Sequence, residues 1–541
     1  MNRTLNPSAA VQERAHQNRW LGLLFICVSL LIISLDNTVL NVALPAISRD
    51  LGASQSELQW IVDAYILVFA ALLLTMGAIG DRIGRKRILQ VGIVWFGAFS
   101  LVAALATSVE MLVAARAMLG FGGAIIMPAT LSLVTSSFRD PKERAQAIAI
   151  WAAVFGLGIG VGPLLGGYLL QDYEWNAVFL VNLPVVLVAL IGGHFFLEES
   201  RDENAPSPDY PGVLLSITGL FALVYGIIEA GVKGWEHDSV LFSLGLAGVI
   251  LTTFFWWEGR SKKAMLPLYL FRNPSFTGAS VAIMLMMFGM FGIFFSMSQF
   301  FQSVQGYTAL GAAIRLFPIS IAIMLFATLS AQIANRIGTK LTVGIGFLIV
   351  AGSMFFLSQV TEADTPYETM LAGTVVMACG MGMAMSPATN SIMGAVPVSK
   401  AGVGSATNDT TREIGGALGV AVLGTVLNDA YLNRVTVLRD QLDPQAYGFV
   451  ASSIQGANEV ARQIAAQGGD AIAGVIRDVA GTAFASGMSD SMLIASLVML
   501  GAALFTLAVL PSDIRCLEPE CEDEDVEWGA PMGEPAAAAG D

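Results

Sequence analysis

From Trp20 to Leu35 no charged residue interrupts the chain, and the run then meets Asp36. About 20 mostly apolar residues is the length that carries a helix across the hydrocarbon layer of a bilayer. The pattern predicts fourteen such helices, over 20–44, 57–80, 88–107, 110–136, 144–170, 176–196, 211–230, 239–258, 276–303, 309–335, 339–360, 368–393, 402–429 and 489–511. The one long interval between them is 430–488. Within it "NEVARQIAAQ" and "AIAGVIRDVAGTAF" show helical apolar spacing broken by glycine. A short amphipathic hairpin on the outer surface is expected there, equally a passive connector or a gating element.

Composition supports a lipid-embedded chain. Hydrophobic residues make up 55% of the 541 positions and charged residues 13%, about half the share usual in soluble domains. The net charge of −14 is no guide to partners, because much of the acid lies in "DIRCLEPECEDEDVEWGAPMGEP" at 513–535. That stretch reads as a disordered acidic tail, 512–541. No basic patch with interleaved aromatics points to nucleic acid. Cys27, Cys379, Cys516 and Cys521 read as unpaired, with no histidine placed to complete a zinc site. The polar N-terminal segment is unlike a signal peptide, so the first helix is expected to be retained.

Lys and Arg set the orientation. With residues 1–19 in the cytoplasm, Arg82, Arg85, Lys86, Arg87, Arg139, Lys142, Arg144, Arg260, Lys262, Lys263 and Arg272 all fall inside, while the short outer segments carry only Arg49 and Lys233. Both termini are then cytoplasmic in a multi-pass protein of the cytoplasmic (inner) membrane.

The chain also repeats itself. "GAIGDRIGRK" at Gly77–Lys86 is matched by "AQIANRIGTK" at Ala331–Lys340, and "GFGGAIIMPAT" at Gly120–Thr130 by "GMGMAMSPATN" at Gly380–Asn390. Parallel repeats of a span bundle are a transporter architecture. The expected domains are a six-helix bundle at 20–200, two linking helices at 201–260, and a second six-helix bundle at 261–511 that includes the outer loop 430–488.

Charges inside apolar spans cost about 2.5–3.5 kcal/mol each on insertion scales, so they need a reason. Asp36, Asp63, Glu229, Asp409 and Glu413 are the acids, and Arg116, Arg315 and Arg412 the bases. Burial disfavours an ionised carboxylate and a nearby cation favours it, which poises such a group to exchange a proton. A structural ion pair or a helix-end residue facing headgroups is the plainer reading. Asp409, Arg412 and Glu413 share a helix face and could form a local network. Glu229 is expected to be exposed at a span end. Arg116 is enclosed by apolar sequence, and Asp36 is its expected partner. Gln299 and Gln302, in a stretch rich in Met and Phe, are candidate polar contacts facing a cavity.

The motifs resemble the major facilitator superfamily, and within it the fourteen-span drug/proton antiporter branch. "LDNTVLNVALP" at Leu35–Pro45 resembles the first-span motif of that branch and "GAIGDRIGRKR" at Gly77–Arg87 the loop motif of the whole superfamily. "RAMLGFGGA" at Arg116–Ala124 resembles the fourth-span Arg motif and "GIGVGPLLGG" at Gly158–Gly167 the antiporter motif. "WIVDAY" at Trp60–Tyr65 is similar to the quaternary-ammonium and dye exporters. Leu119 departs from the Gln usual in the fourth-span motif, and Asn335 stands where the first loop copy has Asp81.

The resemblance implies an all-α integral membrane fold of two six-helix bundles plus two linking helices. It implies a proton-coupled exporter of lipophilic or cationic drugs, no enzyme, working by alternating access on the proton gradient with no cofactor. Asp36, Asp63, Arg116, Asp409, Glu413, Gln299 and Gln302 would serve proton coupling and substrate binding. Gly77, Asp81, Arg82, Gly84 and Arg85 would form a latch, and Gly158, Gly162, Pro163, Gly166 and Gly167 a hinge and seal. Export of an endogenous antibiotic, lipid or siderophore is the alternative on the same fold, and a non-transporting sensor or assembly partner the alternative of another class. The partners expected are small molecules, protons and membrane lipids, and a monomer is compatible with the pattern. No phosphate-binding Gly-x-x-x-x-Gly-Lys loop, metal cluster or nucleophile constellation is present in the sequence.

Overall fold

The computed structural model of the chain describes residues 7–53, 55–138, 140–202, 209–261 and 263–512. The helices are α1 (Pro7–Leu51), α2 (Gln55–Ile83), α3 (Arg85–Ala104), α4 (Val109–Ser137), α5 (Pro141–Asp172), α6 (Ala177–Leu180), α7 (Asn182–Phe196), α8 (Tyr210–Lys233), α9 (Asp238–Glu258), α10 (Pro274–Gln299), α11 (Ala309–Ile337), α12 (Thr339–Val360), α13 (Tyr367–Gly394), α14 (Ala401–Val435), α15 (Pro444–Ser452), α16 (Ile454–Ala466) and α17 (Asp470–Val509). No strand occurs among the described residues. Fourteen segments are long and apolar enough to cross a membrane, α6 and α7 together supplying one, and the chain is a multi-pass membrane protein. The expected tail with Cys516 and Cys521, together with Arg139 and Lys262, lies outside the described residues.

Helices α1–α7 pack on one another, as do α10–α14 with α17, so the two bundles are distinct. The linking helices are not equivalent. α8 lies against both α2 and α14, whereas α9 packs on α8 and is only 22% buried along its span. The bundles meet mainly where α5 runs along α11 and where α2 and α4 approach α14.

Helix α5 manages two close partners because its glycines fall on two faces. A Cβ at Gly158 or Gly162 would collide with Ser34 or Thr38 of α1, and one at Gly166 would sit 2.9 Å from Val39 Cγ2. These residues therefore serve a crossing inside the first bundle. The contact with the second bundle is made by Gly156 on Ile323, Gly160 on Ser320 and Gly167 on Leu310. Of the five residues expected to form the hinge and seal, Gly167 faces the second bundle, while four-residue spacing puts Gly158, Gly162 and Gly166 on the α1 side. Pro163 lies within an α5 that continues through it. Gly162→Val should cost about 1–3 kcal/mol by overpacking at Thr38, seen as a lower melting temperature of the detergent-purified protein. An unchanged melting curve would mean that α1 and α5 do not pack this closely.

The outer interval differs from expectation. α14 continues to Val435 and α17 begins at Asp470, so the second arm of the expected hairpin is the start of the last membrane helix, not a surface helix. Ala473, Ile476, Ala480, Ala483, Phe484 and Gly487 form a buried stripe at helical spacing, which extends the helix by about five turns. The connector is thereby reduced to 436–469, with α15 and α16 as its short helices. α16 buries Ile454, Ala457, Val460 and Ala461, and packs on α17.

Candidate functional site

Arg116 on α4 reaches Asp36 on α1 through the first bundle. Its Nη1 pairs with Asp36 Oδ2, and the side chains are 1% and 0% exposed. Gly120, one turn along α4, makes this reach feasible: a Cβ there would collide with the Tyr65 carbonyl, so only glycine lets α2 come so near. The same approach brings the Ile61 carbonyl to 3.1 Å from Arg116 Nε and puts the guanidinium carbon 4.4 Å above the Tyr65 ring. Asp36 Oδ1 accepts a 3.1 Å hydrogen bond from Asn182 Nδ2 on α7, which also donates to Ser100 Oγ on α3. Five helices thus converge on one buried ion pair. Asn182, Ser100 and Tyr65 were not singled out in the sequence. An isolated Asn beside a helix start carries no pattern, though an amide in so apolar a stretch is itself a cost that needs a partner.

Asp63 lies apart from that cluster. Residues 61 and 65 face α4, so 63 turns to another side of α2, the helix on which α8 with Glu229 packs. Glu229 is half-buried and paired with Lys233, not exposed as expected, because α8 packs on α2 along this face. Trp60 and Tyr225 stack beside the two acids with centroids 6.5 Å apart.

On α14, Asp409 and Arg412 are buried and Glu413 is half-buried. The expected local network does not form: no ion pair joins Arg412 to either acid among the described residues. Arg412 instead extends away from its own helix to α5 of the other bundle. Its guanidinium carbon lies 4.0 Å from the Phe155 ring centroid and 5.2 Å from that of Trp151. Asp409 Oδ1 accepts from Asn408 Nδ2 at 2.9 Å.

Gln299 and Gln302 are placed at the far end of α10, beside a π-helical turn at Phe300–Val304. Gln299 accepts a 2.9 Å hydrogen bond from Gln455 of α16, and Gln302 folds back on Ser298. Neither joins the charged clusters. Arg315 sits near the same end, 3.5 Å from the Tyr307 ring centroid.

The α2–α3 turn joins the two bundles. Asp81 is buried, and its Oδ1 accepts from Arg85 Nε at 2.8 Å, Arg85 Nη2 at 2.6 Å and Gly402 N at 2.8 Å. Its Oδ2 accepts from Val403 N at 3.1 Å. An acid from one bundle thereby caps the N-terminus of α14 in the other. Arg85 also donates to the carbonyls of Val398 and Ser399 and to Ser200 Oγ. Gly77 and Gly402 touch backbone to backbone where α2 crosses α14. Gly84 has φ +124°, a conformation for which glycine is needed, and the Glu199 carboxylate beside it accepts from Lys86 N and Arg87 N at the start of α3. Arg82 is exposed, and no hydrogen bond or ion pair among the described residues ties it to the latch. At the repeat position Asn335 is exposed too, so the arrangement is one-sided. A cavity of about 600 Å³ opens beside Arg85, Arg87, Ser200 and Ser399.

Two six-span bundles, a helix crossing inscribed in repeated loop motifs, and charge buried at the bundle centre define a membrane transport fold. The profile of the Major Facilitator Superfamily matches residues 26–420, and the chain belongs to that family. It is 36% identical over 493 residues to the multidrug efflux pump LfrA of Mycolicibacterium smegmatis, covering 91% of this chain and 96% of the relative. It is 32% identical to the tetracenomycin C resistance and export protein of Streptomyces glaucescens, covering 91% and 93%. The solved structure of the proton:xylose symporter XylE shares the fold, with TM-score 0.57 at 13% identity over 91% of this chain and 96% of that one.

Proposed function

We propose that this protein is a proton-coupled exporter of lipophilic, often cationic drugs, working by alternating access in the cytoplasmic membrane with both termini inside. The observation that carries the reading is the Asp36–Arg116 pair, buried at the meeting point of five helices. Removing the charge of one partner in such a pair costs about 3–5 kcal/mol, because the other is left uncompensated. Protonation of Asp36 therefore strains the arrangement around Arg116, Tyr65 and Asn182, and a change in bundle geometry relieves it. Each inward proton supplies about 2.3 kcal/mol per 100 mV, plus the pH term. No further cofactor is needed. The names of the multidrug relatives support the substrate class, and the distribution of Lys and Arg supports the orientation.

The test is efflux of a cationic dye from everted vesicles energised by a proton gradient. Asp36→Asn should abolish it. Asp63→Asn, away from the pair but beside Glu229 and Trp60, should reduce transport of divalent more than monovalent dyes. Unaltered efflux by Asp36→Asn would remove the coupling role. The kinship with a tetracenomycin exporter favours a second reading, export of an endogenous aromatic antibiotic. Efflux of such a compound with no response to cationic dyes would select it.

A further inference from the structure

Arg412 is in an unusual position for a buried cation. It is 2% exposed, two carboxylates stand within a turn of it on α14, and it is ion-paired with neither. Among the described residues its Nε and Nη1 have no hydrogen-bond partner, and Nη2 meets only the soft thioether of Met385 at 3.4 Å. A buried guanidinium normally satisfies its donors. What this one has is two aromatic faces: Trp151 and Phe155, one turn apart on α5, stand nearly parallel at 14° with centroids 6.5 Å apart. Trp151 is anchored by a 3.1 Å hydrogen bond from its Nε1 to Thr130 Oγ1, so this face is in place before any ligand arrives.

A delocalised, weakly hydrated cation against aromatic rings is the chemistry of guanidinium and of aromatic organic cations alike. We propose that the Trp151–Phe155 face of α5 is the seat of the exported organic cation, and that Arg412 is a built-in stand-in that occupies it when cargo is absent. This rests on the exporter reading above and assigns its binding face. The stand-in has somewhere to go. Asp409 Oδ2, buried and without a hydrogen-bond partner among the described residues, lies three residues back on the same helix, within one turn of Arg412. When cargo takes the rings, the guanidinium withdraws to Asp409. Phe155 and Glu413 are both partly open in the middle of their helices, so the carboxylate of Glu413 is available to balance the charge of the cargo. A neutral compound of the same size gains nothing from the rings beyond apolar contact, so the face selects for charge. Because the rings belong to one bundle and Arg412 to the other, filling the face also breaks a contact across the bundle divide.

The test is binding of tetraphenylphosphonium to the full chain in nanodiscs by equilibrium dialysis. Removing the rival should tighten binding: Arg412→Gln is expected to bind about threefold to thirtyfold more tightly than wild type, the range of a desolvated cation–aromatic contact. Arg412→Lys, which keeps the charge but not the flat stack, should tighten binding less, and it serves as the readout if the Gln variant fails to fold. Phe155→Leu should weaken binding by a similar factor while leaving the melting temperature within a few degrees. Weaker or equal binding in both Arg412 variants, or unchanged binding in Phe155→Leu, overturns the proposal while the exporter reading stands, provided wild type still exports the dye. Wild type that neither binds tetraphenylphosphonium nor exports dye defeats the exporter reading itself, and the assignment of the face with it.

Discussion

Arg116→Ala should abolish gradient-driven efflux, to about a hundredth of the wild-type rate or less, since the loss of one partner from a buried pair carries a penalty of about 3–5 kcal/mol. The chain would still hold Asp36 at 0% exposure, with Asn182 as its one remaining side-chain donor among the described residues. The carboxylate could then stay in the fold only by keeping a proton permanently, which ends the cycle. The decisive comparison is with Asp36→Asn and with the double variant. All three should lose coupling. The double variant should recover much of the melting temperature lost by Arg116→Ala, because no uncompensated charge remains, and this non-additivity is the mark of a direct pair. Efflux by Arg116→Ala at the wild-type rate under the same gradient would show that the pair is structural.

Much of this pair was legible in the sequence. A carboxylate closing a sixteen-residue apolar run and an arginine inside another are each expensive, and the cheapest remedy is for them to meet. Gly120 announced the close approach of a neighbour, though not that the neighbour would be the backbone of Tyr65. Asn182 was invisible because its function depends on which helix lies opposite, and sequence spacing reports only on residues of one helix. The same limit explains Arg412. Four-residue spacing put it beside Asp409 and Glu413, but its side chain is long enough to leave its own helix for the rings of α5.

Glu229 failed for a related reason. Its place at a span end suggested solvent, and only the docking of α8 on α2 encloses it. The start of α17 was missed because Arg477 and Asp478 dilute the apolar run there. Apart from Ile476 and Phe484, the stripe from Ala473 to Gly487 is made of small residues, which pack well but score weakly as membrane sequence. Gln299 and Gln302 were drawn toward a cavity by their Met- and Phe-rich surroundings, yet Gln299 bonds Gln455 of α16 and Gln302 bonds Ser298 one turn back.

One helix touches both the ion pair and the latch. α2 offers Ile61 and Tyr65 to Arg116, and Gly77 and Asp81 to α14, the two sets separated by about 24 Å at 1.5 Å per residue. A rigid α2 would carry movement at the pair to the Asp81 contact that joins the two bundles at the α2–α3 turn. Asp81→Asn should release that contact. Asn keeps one acceptor for Gly402 N but loses the charge that holds Arg85 and the start of α14, and hydrogen bonds to charged groups contribute about 1.5–3 kcal/mol. The balance between closed and open forms should move about tenfold to a hundredfold. Spin labels at Arg82→Cys and Arg336→Cys, both exposed on this face, would report it once Cys27, Cys379, Cys516 and Cys521 are replaced. The closed protein should give one short distance and Asp81→Asn a second, longer population. Arg87→Gln, which removes a neighbouring positive charge of the same turn without touching Asp81, should leave the short distance alone. The second bundle already presents the comparison, since Asn335 occupies the repeat position and lies exposed. If the distance distribution of Asp81→Asn matches wild type, the α2–α3 turn sets orientation through its charges alone, and the Gly77–Gly402 crossing is what holds this face shut.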